Sequence, residues 1–458
     1  MTPNLRLKPK KSPWLILLVL LAPAVWSQEP VRELPISERM VGLLSRSTEH
    51  LDEDFAYIET HWQRAWTPMV IELMYLSGDR DTAQRLRDLL YKKTRQRHGF
   101  NFNDWLVWWW KQERAVDPDY ADFKSRLYRL IDRRFEGYFS NERVARIRLD
   151  AVVWGGVAQD GIPPLRQPEM IGAKQATFLE DDNVIFGIAL NGDVRAYPKR
   201  IMAWHEMFVD EIGGTEYAGV YCTLCGAMIL YETHFDGVRH ELGTSGFLYL
   251  SNKLMYDKAT QTLWSSTWGE PVIGPLVDQG IRLKRSHLVT TTWGEWRRRH
   301  PDTTVLSTRT GYGQDYSEGA AYREYFATDE LMFQVPTRDR RLKNKAEVLA
   351  LTFPDITEDT MALSAKFLKK NSLYVDQLGA QRFVVLTDRS GANRVYEAAD
   401  VEFVEYDRDS SITDSEGNVW ALTEGALSFT DQTLARLPAH RAFWFGWHAA
   451  HPDTELVK

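Results

Sequence analysis

The sequence predicts an α+β protein: a helical N-terminal domain followed by a β-rich body of two related lobes. Three observations predict it. Apolar residues between about 51 and 150 recur at a helical period. After Ile162 the pattern changes to short β-rich runs bounded by glycine turns. One helix–turn–strand pattern then occurs twice at a constant offset. The 458 residues also exceed what one core usually fills, so several domains are expected.

The chain opens "MTPNLRLKPKKSPWLILLVLLAPAVWSQEP", with Arg6, Lys8, Lys10 and Lys11 ahead of an apolar run from Trp14 to about Val25. That is the layout of a signal peptide over residues 1–27, with a cut near Gln28. The run is shorter than the roughly 20 residues of a comfortable membrane span. Export to the periplasm or beyond is therefore expected, with no stable membrane span after cleavage. Without residues 1–27 the chain loses four of its 56 Lys and Arg and none of its 63 Asp and Glu, leaving a formal charge of −11. Nucleic acid is excluded as a partner, because phosphate contacts need clustered cations. A small exported substrate or a partner protein is expected instead.

Residues 28–150 are expected to form the helical domain. "AYIETHWQRAWTPMVIELMYL" places Tyr57, Trp62, Trp66, Val70 and Met74 near a 3.6-residue period, and "DTAQRLRDLLYKKT" continues with Ala83, Leu86 and Leu90. "NFNDWLVWWWKQERA" gathers Trp105, Trp108, Trp109 and Trp110, with Asn103 or Asp104 as a helix cap. "DYADFKSRLYRLIDRRFEGYF" repeats the spacing. Short connections suggest stacked, HEAT-like hairpins. The four tryptophans read as core or interface side chains; an aromatic surface that docks a ligand or partner is the alternative.

The first β-rich lobe is expected over residues 151–340. "NVIFGIALNGDVRAYP" is a hairpin around Asn191-Gly192-Asp193. Pro198 suits a first helical position, so "KRIMAWHEMFVDEI" reads as a helix of about three turns. Strands "EYAGVYC", "AMILYE", "VRHEL" and "GFLYL" follow. The second lobe, residues 341–458, is expected from the match of "AYPKRIMAWHEMFVDEIGGTEYAGVY" with "ALSAKFLKKNSLYVDQLGAQRFVVLT", 166 residues later. It carries Asn371 opposite His205, and Asp388 and Gly391 opposite the cysteines, so chemistry is expected in the first lobe alone.

Cys222 and Cys225, in "AGVYCTLCGAMILYE", are the only cysteines. Two residues apart on a tight turn, both sulfurs can reach one tetrahedral metal ion at about 2.3 Å. Two sulfurs do not complete a site. His205 borders the stripe Ile201, Trp204, Phe208 and Ile212 of the expected helix, and is the third expected ligand, with copper or zinc as the ion. Met228 is a softer copper ligand but falls at a core-facing strand position, while His234 and His240 alternate with apolar residues, and solvent-facing strand positions explain them as well as a ligand role does. Thiol–disulfide chemistry at Cys222 and Cys225 is the alternative, since an unliganded pair in an oxidising compartment closes into a disulfide. "AMILYE" reads as a strand, whereas a thioredoxin-like site would place a helix there. A structural cysteine turn within a binding or scaffold module is the third reading. Ser245, Asn252 and Asp257, in "GTSGFLYLSNKLMYDKATQTLWS", are expected to line a pocket beside the turn. No Gly-x-Ser-x-Gly or His-Glu-x-x-His motif occurs.

From "DGIPPL" at Asp160, through these motifs and "GEPVIGPL", to "HRAFWFGWHAAHPDTE", the chain resembles the DUF3179 family, a bacterial group of unknown function. The resemblance covers about residues 155–458. It implies family positions at Tyr197-Pro198, His205-Glu206, Cys222, Cys225, Ser245-Gly246, Asn252, Tyr256-Asp257 and Trp264. On this reading Cys222, Cys225 and Glu206 carry the chemistry, and Ser245, Asn252, Asp257 and Trp264 bind the cofactor or substrate. Thr223 stands where the family usually has proline within the cysteine turn. The resemblance implies the domain and no particular reaction.

Overall fold

The computed structural model describes residues 34–45, 48–112, 114–353 and 355–458, and Ile36–Lys458 form one compact unit. The expected signal peptide and its cut lie outside the described residues. Among those described, no helix is long and apolar enough to cross a membrane.

Six α-helices, Ile36–Ser45, Thr48–Thr60, Thr67–Leu76, Arg80–Thr94, Phe102–Trp110 and Tyr120–Arg129, build the N-terminal region. Pro68 sits in the first turn of its helix, where no amide is needed. Asp79 caps the next by accepting from the Thr82 amide at 2.7 Å. The tryptophan helix starts earlier than expected: Asn101, not Asn103 or Asp104, accepts the Asp104 amide at 3.2 Å. Trp105, Trp109 and Trp110 are buried, and Trp109 donates to Asp150 Oδ2 at 2.7 Å. Trp108 is only partly buried. A charge pair lies inside this core, Lys124 Nζ 2.9 Å from Glu72 Oε1, with Tyr128 donating to Glu72 Oε2 at 2.6 Å. The core continues past residue 150: Phe247, Leu254, Tyr256 and Ile273 pack into the same apolar cluster. Those residues belong to a five-stranded antiparallel sheet that begins at Val152–Trp154.

The β-rich body follows. The expected hairpin is present: Val184–Leu190 pairs with Asp193–Pro198, and Asn191 and Gly192 turn the chain at φ 48° and 84°. Val289–Thr292 pairs antiparallel with its first strand and Thr304–Leu306 runs parallel to its second. Further on, Glu347–Thr352 pairs with Thr360–Ser364. Ala439–Phe443 lies antiparallel to the first of these and Glu455–Val457 parallel to the second. A short helix leads from each outer strand to each parallel strand, Trp293–Arg299 in one case and Trp444–Ala450 in the other. Glu455–Val457 ends its sheet, whereas Met170–Gly172 pairs beyond Thr304–Leu306. In both, a tryptophan Nε1 donates to a threonine hydroxyl at 3.0 Å, Trp296 to Thr303 and Trp447 to Thr454.

The long helix expected after Pro198 is corrected. Only Lys199–His205 is helical; Glu206 stops it in the left-handed region at φ 55°, and Met207–Ile212 is a strand. Gly213 and Gly214 turn that strand back, so Met207 pairs with Val220 and Ile212 with Thr215. Phe208, Val209 and Ile212 satisfy a helical stripe and a buried strand equally well, and the sheet partner decides between them.

Candidate functional site

Strand Thr215–Cys222 ends at the first cysteine and Ala227–Glu232 begins two residues after the second. The intervening turn closes through Cys225 N to Cys222 O at 3.1 Å and Gly226 N to Thr223 O at 3.3 Å. Cys222 and Cys225 form a disulfide, with Cα atoms 5.2 Å apart. Cys222 is 5% exposed and Cys225 1%. Gly226 leaves the turn at φ 61°, and a Cβ there would lie 3.0 Å from the Phe443 ring. Left-handed backbone and lack of space both require glycine.

Two distant segments cover the turn. The C-terminal one contributes Phe443, whose amide donates to Cys225 O at 2.7 Å, and Gly446. A Cβ at Gly446 would lie 3.1 Å from Cys225 Cβ and 3.4 Å from its sulfur. Gly446→Ala is therefore expected to lower stability by about 1–2 kcal/mol in a denaturant titration, despite alanine's higher helix propensity. The other segment is the hairpin of Leu242–Tyr249 and Asn252–Asp257, where Tyr249 faces Asn252 across two residues, Leu250 and Ser251, at φ 49° and 64°. Such φ values are costly for leucine and serine and suit Asn-Gly. This conformation brings Ser251 O to 3.3 Å from Cys225 Sγ and 4.0 Å from Cys222 Sγ. Asn252 extends the contact: its Nδ2 donates to Gly446 O at 3.0 Å and its Oδ1 accepts from Thr267 Oγ1 at 3.2 Å. Of the expected pocket residues, Asn252 is the one this geometry brings to the cysteine turn.

The others have different partners. Ser245 Oγ donates to Leu254 O at 2.6 Å and accepts from the Phe247 amide at 3.0 Å, across a register shift between strands. Asp257 holds a turn by accepting from the Thr260 amide at 2.9 Å, and its second oxygen lies 3.1 Å from His240 Nδ1. His240 is thus buried, at 4% exposure, which rules out the solvent-facing one of its two readings. Trp264 is buried beside it, ring centroids 5.0 Å apart. Met228 is core, as its strand position implies.

His205 is fully buried at the end of its helix. Its Nδ1 lies 2.9 Å from Pro163 O and its Nε2 2.5 Å from the Tyr316 hydroxyl. Burial holds its pKa below the usual histidine range, against the pull of the Pro163 carbonyl. Both nitrogens are engaged and both sulfurs are bonded to each other, so Cys222, Cys225 and His205 as they stand do not fit a three-ligand metal centre. Among the described residues, no three His, Cys, Asp or Glu side chains are grouped to hold an ion. Glu206 turns elsewhere: its Oε2 is 2.9 Å from Lys253 Nζ, both side chains being buried. Its carbonyl accepts from the Tyr221 amide at 2.8 Å, one residue before Cys222, and lies 3.4 Å from Lys253 Nζ. Burial lowers the Lys253 pKa while the Glu206 carboxylate opposes the shift. Lys253 escaped the sequence analysis; a lysine in the apolar-alternating run "NKLMYD" beside the cysteine-turn motif was its signal.

Fold and site together define a mixed α+β protein with a buried Cys-x-x-Cys disulfide clamped by a strained hairpin and the C-terminal helix. The family model "Protein of unknown function (DUF3179)" matches residues 159–454, and the chain belongs to that family. No match was found among curated proteins or among solved structures.

Proposed function

We propose that this protein is an exported thiol–disulfide oxidoreductase with Cys222 and Cys225 as its reactive pair. The observation that carries the reading is the closed disulfide at a site where it adds little to the fold. A loop closed over two intervening residues stabilises by only about 2 kcal/mol. The chain nevertheless surrounds it with a turn that requires glycine, a strained hairpin and a close helix contact. Oxidation of a substrate dithiol to a disulfide, with Cys222 and Cys225 becoming thiols, moves two electrons and two protons and needs no further reactant. Cys222, the less deeply buried cysteine, is the one for an incoming thiolate to attack, and Cys225 leaves. The new substrate–Cys222 bond replaces the Cys222–Cys225 bond, and Cys225 takes up the proton given up by the substrate thiol, with Ser251 O as its acceptor. The second substrate thiolate then attacks the bonded substrate sulfur and releases Cys222.

The expected copper or zinc enters here as the competing reading of the reduced pair, with ligands other than His205. Native protein incubated with dithiothreitol, desalted and alkylated without denaturant should gain two labels, return to none on reoxidation, and carry no stoichiometric metal. Reduced protein that retains one copper or zinc per chain would favour the metal reading.

The domain plan belongs to the same proposal: a helical domain over residues 28–150 and duplicated lobes over 151–340 and 341–458. Its support is the repeated order of strand, helix and two strands, a parallel strand following the short helix in each sheet, and the two Trp–Thr bonds at 3.0 Å. Opposite the cysteines the second lobe has Asp388, which binds Arg394 Nη1 at 2.8 Å.

A further inference from the structure

We propose that a cavity between the two lobes binds a small organic anion, a short-chain carboxylate, held by Lys199 and the Tyr221 hydroxyl. The cavity has a volume of about 160 Å³ and is lined by Phe186, Lys199, Tyr221, Glu347, Arg441 and Phe443, among others. It shares Gly226 with the cysteine turn. The inference does not depend on whether the disulfide is redox-active.

The cavity contains donors without acceptors. Tyr221 is 1% exposed, and its hydroxyl has no partner among the described residues. Buried hydroxyls are rarely left in that state, because the loss of water is uncompensated. Lys199 makes no hydrogen bond or ion pair among the described residues; its ammonium lies 4.4 Å from the centre of the Phe326 ring. Burial lowers its pKa, with the Glu347 and Glu318 carboxylates acting against that shift. The other cation is already satisfied: Arg441 reaches Glu347 Oε2 at 2.9 Å, Asn393 Oδ1 at 2.6 Å and Gly391 O at 2.7 Å. Arg441 thus takes up Glu347, while the Lys199 ammonium lines the cavity without an ion pair among the described residues, together with an unpartnered hydroxyl. The complement is one negative charge with two acceptor oxygens, one for the ammonium and one for the phenol. A water satisfies Tyr221 and leaves the charge. Phe186 and Phe443 favour an aliphatic tail, and the volume, below the several hundred Å³ of a drug-sized site, restricts it to a few carbons.

Calorimetric titration of the oxidised full chain with propionate, and with propionamide as its neutral counterpart, tests the site. Propionate should bind one to one, and propionamide at least about tenfold more weakly. Lys199→Met should weaken propionate about tenfold or more, and Tyr221→Phe several-fold. Tyr221→Phe should also melt no lower than the unmodified protein, since the hydroxyl it removes has no partner in the fold. A Cys222→Ser, Cys225→Ser variant should bind propionate unchanged, which separates this site from the disulfide. No saturable propionate binding, equal affinity for propionamide, unchanged affinity in both cavity variants, or a lowered melting point in Tyr221→Phe would each overturn the proposal.

Discussion

Lys253→Met is expected to destabilise the protein by about 3–5 kcal/mol, the usual cost of leaving one member of a buried ion pair alone. Lys253 is 4% exposed and Glu206 8%, so the carboxylate left behind cannot turn to water without opening the sheet. Glu206 is also fixed by its backbone, since it ends a helix in the left-handed region and its carbonyl holds the Tyr221 amide. Glu206→Gln should cost less, because the amide still offers an oxygen to the ammonium. The double variant Glu206→Gln, Lys253→Met should recover much of the Lys253→Met loss, as the remaining groups are neutral. Urea titrations of the three variants measure this directly. A loss below about 1 kcal/mol in Lys253→Met would mean that the pair behaves as a solvated surface bridge.

The second large effect is acid lability. Burial, with Arg285 and His451 facing it, holds His440 well below the usual histidine range. Burial and Arg285 bring His451 to about 3. Burial and Arg436 bring His287 to about 4, against the Glu424 carboxylate. Each folded pKa lies below the unfolded value of about 6.5. Above pH 6.5 both states are neutral and the full stability is present. As pH falls from 6.5 toward 4, the unfolded chain takes up protons that the folded chain refuses, and stability is lost. At about 1.4 kcal/mol per pH unit for a fully buried histidine, and less for the half-buried His451 and His287, the loss between pH 6.5 and 4.5 is about 3–5 kcal/mol. His440→Leu should flatten the slope by close to one proton. An unchanged slope would mean that His440 takes up its proton in the folded state.

Much of the fold was legible because the relevant signals are local. Asn191-Gly192 specifies its hairpin through the φ values that only such residues accept readily. The period of Leu86 and Leu90 belongs to the helix itself, whereas the cap of the tryptophan helix was placed two or three residues late, at Asn103 or Asp104 instead of Asn101. Met207–Ile212 was not legible as a strand. Whether Phe208 and Ile212 share a helix face or a sheet face depends on Thr215–Cys222 pairing beside them, and on Glu206 adopting φ 55°. One repeat in the sequence went unread: Trp-x-x-Trp-x-x-x-His-Pro-Asp-Thr occurs at Trp293–Thr303 and again at Trp444–Thr454.

At the site, the cysteine pair could be read from spacing, and Asn252 from a polar residue within an aromatic run. His205 could be placed near the turn, but which way its ring faces is set by Pro163 and Tyr316, 42 and 111 residues away. The same holds for Gly446, whose missing side chain matters only because Cys225 lies 221 positions earlier. His240 alternates with apolar neighbours as a solvent-facing residue would; its carboxylate partner Asp257 reaches it only through strand pairing.

The most direct measurement of the central claim is an equilibrium redox titration of the folded protein in graded dithiothreitol buffers, read by alkylation and mass. Cys222 and Cys225 are predicted to become labelled together in one reversible two-electron transition. That transition should be absent in Cys222→Ser and shifted in Gly446→Ala, while the fold monitored by circular dichroism persists throughout. Thiols that appear only when the protein unfolds would contradict the account and leave the disulfide a structural turn.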